Sequence, residues 1–181
     1  MTTINCKLLP PLNECTDLAE WKNYEENLYQ IFQNTFLINT LSFQNKMIRI
    51  KEYPKYNNYE TAFIHLICKQ ESIKTTNPND REPDLRRAER LHWIKFIITS
   101  YPCLENCINC HGILLYKEYY NGNTNRLRIK LFLPLERYLI VLEERKNYLL
   151  LITAFYIDNE KSLNKCYSRY LEYKKQGTPI V

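Results

Sequence analysis

The first strong pattern in the chain is a helical repeat of apolar residues that follows a pair of prolines. Apolar side chains recur every three or four residues in this segment, at Leu18, Trp21, Tyr24, Leu28, Ile31 and Phe32. Asp17 precedes the repeat and Glu20 stands three residues later, which is the arrangement of a capping box. The pattern therefore predicts a helix over residues 17–34.

The next part of the chain predicts short strands and then a loop. Residues 40–53 alternate loosely between apolar and polar side chains, which indicates one or two short strands. Residues 75–83 are rich in Asn, Asp, Thr and Pro, and this composition is typical of a loop.

A second amphipathic helix is predicted over residues 84–98, with Asp84 as its N-cap. On a helical wheel one broad apolar arc is formed by Leu85, Ala88, Leu91, Ile94 and Ile98. Arg86 and Arg90 lie on the flank of this arc, whereas Arg87 falls inside it, which is less usual for a charged residue. A solvated helix face and its margin would account for these arginines without any function.

The C-terminal half of the chain alternates with period two, which predicts strands. Four strands are predicted, over residues 113–120, 126–133, 137–144 and 148–158, with turn residues at 121–125. The run 149–152 is apolar at every position, as is typical of a central strand. A closing helix is predicted over residues 160–175. Helices followed by a four-stranded antiparallel sheet and a C-terminal helix make an α+β protein.

The composition supports one globular domain over residues 1–181. Apolar residues make up 45% of the chain and aromatic residues 13%, which excludes wholesale disorder. No secretory signal and no apolar run of transmembrane length is visible, so we expect a protein without a membrane partner that works in the cytoplasm, either of its own cell or of a target cell into which it is delivered. In that reducing setting the seven cysteines should remain thiols. The net charge of +5 is too small to demonstrate a nucleic-acid partner.

Three cysteines and a histidine lie close together in the sequence, at Cys103, Cys107, Cys110 and His111. Their spacing matches the cluster motif of radical SAM enzymes, but the residues that follow predict a small antiparallel sheet instead of a large barrel. The spacing also matches a covalent haem site, which forms after export and conflicts with the missing signal. Thiolates and an imidazole suit zinc, yet structural zinc sites usually combine two separated ligand pairs, and no second pair is evident. We therefore expect no metal here, with zinc as the alternative.

Outside this cluster, the leads for chemistry are single polar residues within apolar segments. His65 interrupts an apolar run, where a histidine is more often a hydrogen-bonded core residue than a catalyst. Thr153 and Tyr156 interrupt the most apolar strand, where a buried threonine or a terminal tyrosine is commonplace. Basic residues that alternate with apolar ones in the second predicted strand form a basic stripe, which consists of Arg126, Arg128 and Lys130.

Several segments together resemble a family of phage- and prophage-associated nucleases in the barnase, EndoU, colicin and RelE-like (BECR) superfamily. The resemblance rests on residues 63–67, 81–94, 138–142, 145–146 and 148–156, and it covers about residues 60–175. Its most specific parts are a helix with the pattern R-x-x-R-L-x-W-I and a strand with the pattern L-x-T-A-F-Y. By this resemblance residues 1–59 are an N-terminal extension, and residues 100–112, with the cysteines, are a local insertion.

The resemblance implies a compact, metal-independent endoribonuclease of the toxin or effector type that needs no cofactor. The implied catalytic residues are His65, Arg87, Arg90, Thr153 and Tyr156. The histidine would transfer a proton, the arginines would bind the phosphate, and the two hydroxyls would complete the site. RNA supplies its own 2′-hydroxyl as nucleophile, so the products would be a 2′,3′-cyclic phosphate and a 5′-hydroxyl. On a regular strand Thr153 and Tyr156 point to opposite faces, so the pair requires a bulge or the end of the strand.

The implied partner is RNA, with tRNA or mRNA as the expected substrate. Its phosphates would contact the cationic residues Arg86, Arg126, Arg128, Lys130, Arg145 and Lys146. A toxic nuclease would also need a cognate antitoxin or immunity protein. Without the resemblance, we would assign these charges only to the solubility of an outer sheet face.

Two other functions stay open at this point. The first is a non-catalytic RNA-binding or inhibitor module on the same fold. A Thr or Ser is usual in the family shortly after the histidine, where this chain has Ile67 and Cys68, and this replacement favours a loss of the chemistry. The second is a zinc-stabilised adaptor built around the cysteines and His111.

Overall fold

The computed structural model describes residues 7–70, 81–105 and 107–180. Its strands are β1 (Ser42–Phe43), β2 (Lys46–Arg49), β3 (Cys68–Gln70), β4 (Arg81–Pro83), β5 (Leu114–Tyr120), β6 (Asn123–Leu133), β7 (Tyr138–Glu144) and β8 (Tyr148–Tyr156). Its helices are α1 (Trp21–Phe36), α2 (Thr61–Ile67), α3 (Leu85–Ala88), α4 (Trp93–Ser100) and α5 (Glu160–Gln176), and a 3₁₀ helix (Leu18–Glu20) precedes α1. These elements confirm the predicted α+β class. Within the described ranges, no helix combines the length and apolarity that crossing a bilayer requires.

One sheet of six strands, in the order β1-β2-β8-β7-β6-β5, organises the fold. Strands β5 to β8 form the predicted antiparallel meander, but the prediction of a four-stranded sheet was wrong because β1 and β2 extend it. β2 runs parallel to β8 and pairs only with residues 148–150. Such a short parallel pairing joins distant parts of the chain, so local alternation does not reveal it. Beyond residue 150 no described strand pairs with this edge of β8, and α2 and α3 pack against β8.

The sheet has an apolar core on each face. On the first face, α1, α2 and α4 pack against inward side chains of the strands such as Leu131 and Ile140. On the second face, α5 contributes Tyr170 to a smaller core with Phe132 and Leu139. We call these the α1 face and the α5 face. Because cross-strand partners share a face, the strand register assigns each paired residue of β5 to β8 to one of them.

Side-chain caps define the helix boundaries that the sequence predicted. Asp17 Oδ1 accepts a hydrogen bond from the Ala19 amide at 2.8 Å, which confirms the start of the first helical segment. Asn159 caps α5 in the same way, because its side chain accepts from the Ser162 amide at 2.8 Å. Gly177 ends α5 in the left-handed conformation, with a φ of 69°.

The helix predicted over residues 84–98 is divided into α3 and α4, so the prediction of one continuous helix was wrong. Asp84 caps α3 as predicted, and its carboxylate accepts from the Arg87 amide at 3.3 Å. Between the two helices the backbone tightens, and the Trp93 amide donates to the carbonyl three residues earlier at 3.0 Å. Trp93 Nε1 donates to the Pro10 carbonyl at 3.0 Å. This contact with the N-terminal segment is non-local, so helical periodicity gives no sign of it.

Two predicted turns differ from the observed ones. The β5–β6 hairpin turns over Asn121 and Gly122 alone, with φ angles of 49° and 68°, so the predicted turn 121–125 was too long. Positive φ at both central positions suits the twist of a two-residue hairpin. Of the predicted loop 75–83, residues 81–83 form β4, which pairs with β3, and the others lie outside the described ranges.

Candidate active site

His65 lies on α2, beside the part of β8 that no described strand covers. α2 buries its apolar residues, which are Ala62, Phe63, Leu66 and Ile67. His65 is at the margin of this buried side and is itself half-buried. It borders a cavity of about 270 Å³, the His65 cavity, which is lined by Lys51, Thr61, Ala62, His65, Leu66, Arg81, Leu150, Leu151 and Ile152.

Arg81 is the closest polar partner of the His65 ring. Its Nη1 atom lies 3.0 Å from His65 Nδ1. A guanidinium group can only donate, so Nδ1 accepts this hydrogen bond and the proton of the neutral ring is on Nε2. The exposed Lys51 adds a second cation, and none of the described lining residues is acidic. The cavity therefore suits an anion.

The surroundings of His65 favour its neutral form. Burial, followed by the positive charges of Arg81, Arg87 and Lys51, lowers the pKa of His65 from 6.5 to about 4. At neutral pH the ring is therefore an unprotonated base. A bound anion would offset the nearby positive charges and raise this pKa towards its ordinary range.

Arg87 contacts the backbone of His65 and is not among the cavity lining residues. Its Nη1 atom donates to the His65 carbonyl at 3.1 Å, and its Nε atom lies 3.2 Å from Asp84 Oδ2. The guanidinium carbon is 5.6 Å from the centre of the Phe155 ring. Arg87 thus connects α3 to α2 and β8. A phosphate-binding role would require it to exchange one of these partners.

A group of arginines surrounds Tyr156 at the end of β8. The guanidinium carbons of Arg86 and Arg90 each lie 5.0 Å from the ring centre, and that of Arg137 lies 5.9 Å away. Arg86 also forms an ion pair with Asp158, and Arg137 donates to the Asp158 carbonyl at 3.1 Å. We call Arg86, Arg90, Arg137 and Tyr156 the Tyr156 cluster. Cation–π contacts hold these guanidinium groups over one aromatic ring.

Thr153 and Tyr156 lie on opposite faces of the sheet. Thr153 pairs with Val141, which belongs to the α5-face core, whereas Tyr156 pairs with Tyr138, which belongs to the α1-face core. The one irregularity of this strand pairing precedes Thr153, so it does not bring the two side chains together, although Tyr156 is the last residue of β8. The structure thus brings Arg90 close to Tyr156 and Arg87 close to His65. Thr153 lies apart from them, on the α5 face.

The two arginines of the basic stripe bind a buried carboxylate. Arg126 Nη2 and Arg128 Nε lie 3.1 and 3.3 Å from Glu143 Oε2, and Arg145 Nη2 lies 2.5 Å from Oε1. The Glu143 side chain has 0% exposure. Burial opposes its ionisation, but the hydrogen bonds from Arg126 and Arg128 and the charge of Arg145 hold its pKa below the ordinary value. Three of the predicted RNA ligands therefore have a structural partner.

The other residues predicted to contact RNA differ in their pairing. Lys130 forms an ion pair with Glu118 on the α5 face, whereas Lys146 is exposed in the β7–β8 turn. The register places the basic stripe on the α5 face and Tyr156 on the α1 face. The basic stripe and Tyr156 therefore do not lie on one face of the sheet, and an RNA strand on a single face would not contact both.

The cysteine segment brings three of its four candidate ligands together. The sulfur atoms of Cys103, Cys107 and Cys110 all lie within 4.8 Å of one another, and His111 is not part of this group. Instead, His111 Nδ1 lies 2.5 Å from Glu136 Oε1. Hydrogen bonds, first among them one from the Cys110 backbone amide, lower the pKa of the Cys107 thiol to about 6 despite the opposing effect of burial.

Several residues of this region give no signal in the sequence. Arg81, Lys51 and Thr61 line the His65 cavity, and Arg137 joins the Tyr156 cluster. None of them stands out by spacing, because Lys51 follows a short strand and Arg81 borders a polar loop. The positive φ of Arg137, 52°, gives no sequence signal either.

Comparisons with protein-family models, with curated protein sequences and with solved structures found no match.

Proposed function

We propose that the chain is a metal-independent endoribonuclease that cleaves RNA at the His65 cavity. The observation that carries the proposal is the neutral imidazole of His65 beside two cations, Arg81 and Lys51, in an open cavity without a described acidic lining residue. Cleavage of RNA by its own 2′-hydroxyl needs a base and positive charge around the phosphate. These groups supply both.

The hydrogen bond between Arg81 and His65 suggests how substrate binding starts the reaction. A phosphodiester offers Arg81 a charged acceptor, which forms a stronger hydrogen bond than the imidazole does. When Arg81 turns to the phosphate, Nδ1 of His65 becomes free to accept the proton of the 2′-hydroxyl. Arg81 and Lys51 then stabilise the negative charge that develops on the phosphorane oxygens. The bond from phosphorus to the 5′-oxygen then breaks, the His65 imidazolium gives its proton to that oxygen, and a 2′,3′-cyclic phosphate and a 5′-hydroxyl remain.

The Tyr156 cluster is the best candidate for a neighbouring nucleotide. Arg87 links the two regions, since it contacts the His65 carbonyl and follows Arg86 of the Tyr156 cluster directly on α3. Arg86 and Arg90 could exchange their contacts for a phosphate, and the Tyr156 ring could stack on an unpaired base. In this proposal RNA lies along α2, α3 and the end of β8.

The first test is cleavage of purified tRNA and of a mixed RNA pool by the wild-type protein and the His65→Ala variant, without Mg²⁺. The loss of a positioned acid or base should lower the rate about 10²–10⁴-fold. Arg81→Met should lower it about 10²–10³-fold, because a single charge-stabilising donor has an effect of that size. A phosphatase identifies the product ends, because it removes a terminal phosphate only after the cyclic phosphate has been opened.

The matched control is Lys161→Ala on the exposed side of α5, which removes one cation away from the cavity. Its rate should equal that of the wild-type protein. Circular dichroism spectra of all variants establish that they are folded. Equal cleavage by wild-type protein and His65→Ala would contradict the assignment of His65, and the absence of cleavage of every RNA would contradict the nuclease proposal.

A second candidate is an RNA-binding module that does not cleave. The observation that favours it is the occupation of Nδ1 by Arg81, because a ring with one nitrogen engaged and the other protonated cannot accept a proton. In that case Arg81→Met should weaken RNA binding in a filter assay, while no cyclic phosphate forms with any variant.

A further inference from the structure

The segment between α4 and β5 has a backbone that closes on itself. His111 and Gly112 both have positive φ angles, 60° and 85°. A Cβ atom on Gly112 would lie 2.0 Å from the carbonyl oxygen of Glu105, so only glycine permits this approach. The Leu9 amide donates to the Asn109 carbonyl at 2.8 Å, which holds the segment from outside. We call residues 103–112 the cysteine loop.

This closed loop brings three thiols to one point. The sulfur atoms of Cys103, Cys107 and Cys110 all lie within 4.8 Å of one another, and those of Cys103 and Cys110 are 3.3 Å apart. Cys110 is fully buried in the α1-face core, and the other two are half-buried at its border.

We propose that Cys103, Cys107 and Cys110 bind a single Zn²⁺ ion. Tetrahedral zinc with Zn–S bonds of about 2.3 Å places its sulfur ligands about 3.8 Å apart. The sulfur atoms of Cys103 and Cys110 are about 0.5 Å closer than this, and no pair is more than 4.8 Å apart, so small side-chain movements suffice to bind the ion. In a [4Fe–4S] cluster each thiolate binds a different iron atom, so the sulfur ligands lie farther apart than in a mononuclear site. Three soft thiolates select zinc over the hard cations magnesium and calcium.

The position of the site indicates that the ion has a structural role. Glu105 in the loop accepts hydrogen bonds from Tyr170 and Lys174 of α5, at 2.5 and 2.6 Å. Leu9 joins the N-terminal segment to the same loop. An ion bound to the three thiolates would therefore stabilise a junction of the N-terminal segment, α4, β5 and α5. Neither the His65 cavity nor the Tyr156 cluster includes a residue of this loop.

Three thiolates leave a fourth ligand to be supplied. His111 is one candidate, if its ring exchanges Glu136 for the ion. Water is the other. In the Co²⁺-substituted protein the intensity of thiolate-to-cobalt charge transfer counts the sulfur ligands.

The test is the metal content of the full chain, purified without a chelator from cells supplied with zinc. We expect one zinc ion per chain and, after exchange with Co²⁺, a tetrahedral spectrum with at least three thiolates. Cys110→Ser should lower zinc affinity more than about 100-fold, because loss of an outer-shell partner alone costs about 10–100-fold. Cys15→Ser is the matched control, since this half-buried cysteine lies outside the thiol group, and it should bind zinc as the wild-type protein does.

Several results would overturn the proposal. One is wild-type protein that holds no zinc, does not take it up on titration after thiol reduction, and melts at the same temperature with and without zinc. Others are a cobalt spectrum with fewer than three thiolates, and reconstitution of an iron–sulfur cluster in place of mononuclear zinc. These measurements on the wild-type protein do not depend on whether Cys110→Ser folds.

The zinc site and the ribonuclease proposal fail independently. His65→Ala should bind one zinc ion and lose cleavage. If the wild-type protein binds zinc and cleaves no RNA, only the nuclease proposal is lost. If it cleaves RNA and binds no zinc, only the zinc site is lost.

Discussion

At the scale of single residues, His65 illustrates how neighbours change the chemistry of one side chain. On α2 it could have been a core histidine with a carbonyl partner. Instead, the guanidinium of Arg81 is its hydrogen-bond partner, and burial with three nearby cations lowers the pKa of His65 to about 4. A proton on Nδ1 would set one N–H donor of His65 against the N–H donor of Arg81. Proton uptake by the ring therefore requires either movement of Arg81 or a bound anion.

This pKa predicts a pH dependence of stability. Between pH 6.5 and about 4, the unfolded chain binds a proton at His65 that the folded chain does not, so the folded state loses stability as pH falls through this window. The contribution is at most about 3 kcal/mol. Urea denaturation of the wild-type protein and His65→Gln from pH 7.5 to 4 measures it. The difference between the two free energies of unfolding should change in favour of the variant as pH falls, and a constant difference would contradict the lowered pKa.

Anion binding should reverse the lowering of the His65 pKa. In an NMR titration of the His65 ring, saturating inorganic phosphate or a nucleoside 3′-monophosphate should raise the pKa from about 4.

At the scale of elements, the cysteine loop depends on one glycine for its geometry. The chain has two glycines with positive φ in turns next to β5, and they differ in the space around them. A Cβ at Gly112 would collide with the Glu105 carbonyl, whereas a Cβ at Gly122 would have no atom within 4 Å. Comparison of these two positions separates backbone strain from steric collision.

Gly122→Ala should cost about 1–2 kcal/mol, because an alanine there has only the strain of the left-handed conformation. Gly112→Ala should cost clearly more, since the loop must also move away from Glu105. Under the zinc proposal it should lower zinc affinity as well. Chemical denaturation and metal analysis of both variants check this. Equal stabilities of the two variants would show that the closed loop is not needed for the fold.

At the scale of the whole molecule, positive charge is divided between two surfaces that face different ways. At the His65 cavity, Arg81 and Lys51 have no ion pair with a described carboxylate, whereas the arginines of the Tyr156 cluster pair with Asp158, Glu89 and Glu160. On the α5 face, by contrast, Glu143 and Glu118 neutralise much of the basic stripe. A net charge of +5 therefore conceals an uneven surface.

RNA affinity should depend on salt mainly through the first of these surfaces. Each phosphate contact with single-stranded RNA contributes about 0.7 to the slope of log affinity against log salt. Lys51→Ala should lower this slope by about 0.7, and Arg126→Ala should change it less, because Arg126 binds Glu143. Fluorescence anisotropy of a labelled RNA between low and physiological salt checks both. A larger effect of Arg126→Ala would assign RNA to the α5 face.

Local patterns in the sequence were sufficient to predict the helix starts at Asp17 and Asp84 and the antiparallel meander of β5 to β8. Caps and alternation are short-range effects, since a cap bonds an amide two or three residues away and strand alternation follows from backbone geometry alone. The close spacing of three cysteines is visible in the sequence in the same way, whereas His65 and the helix arginines became candidates for a site through the resemblance to the nuclease family.

Only the tertiary structure decided how these candidates combine. It paired β2 with β8, which left the rest of this β8 edge to α2 and α3, and it placed Arg81 and Lys51 beside His65. It also placed Thr153 on the opposite face from Tyr156 and turned the basic stripe towards Glu143. Each of these outcomes depends on packing between segments that are distant in the chain. Their relative position is set by burial of the two cores, which no local repeat encodes.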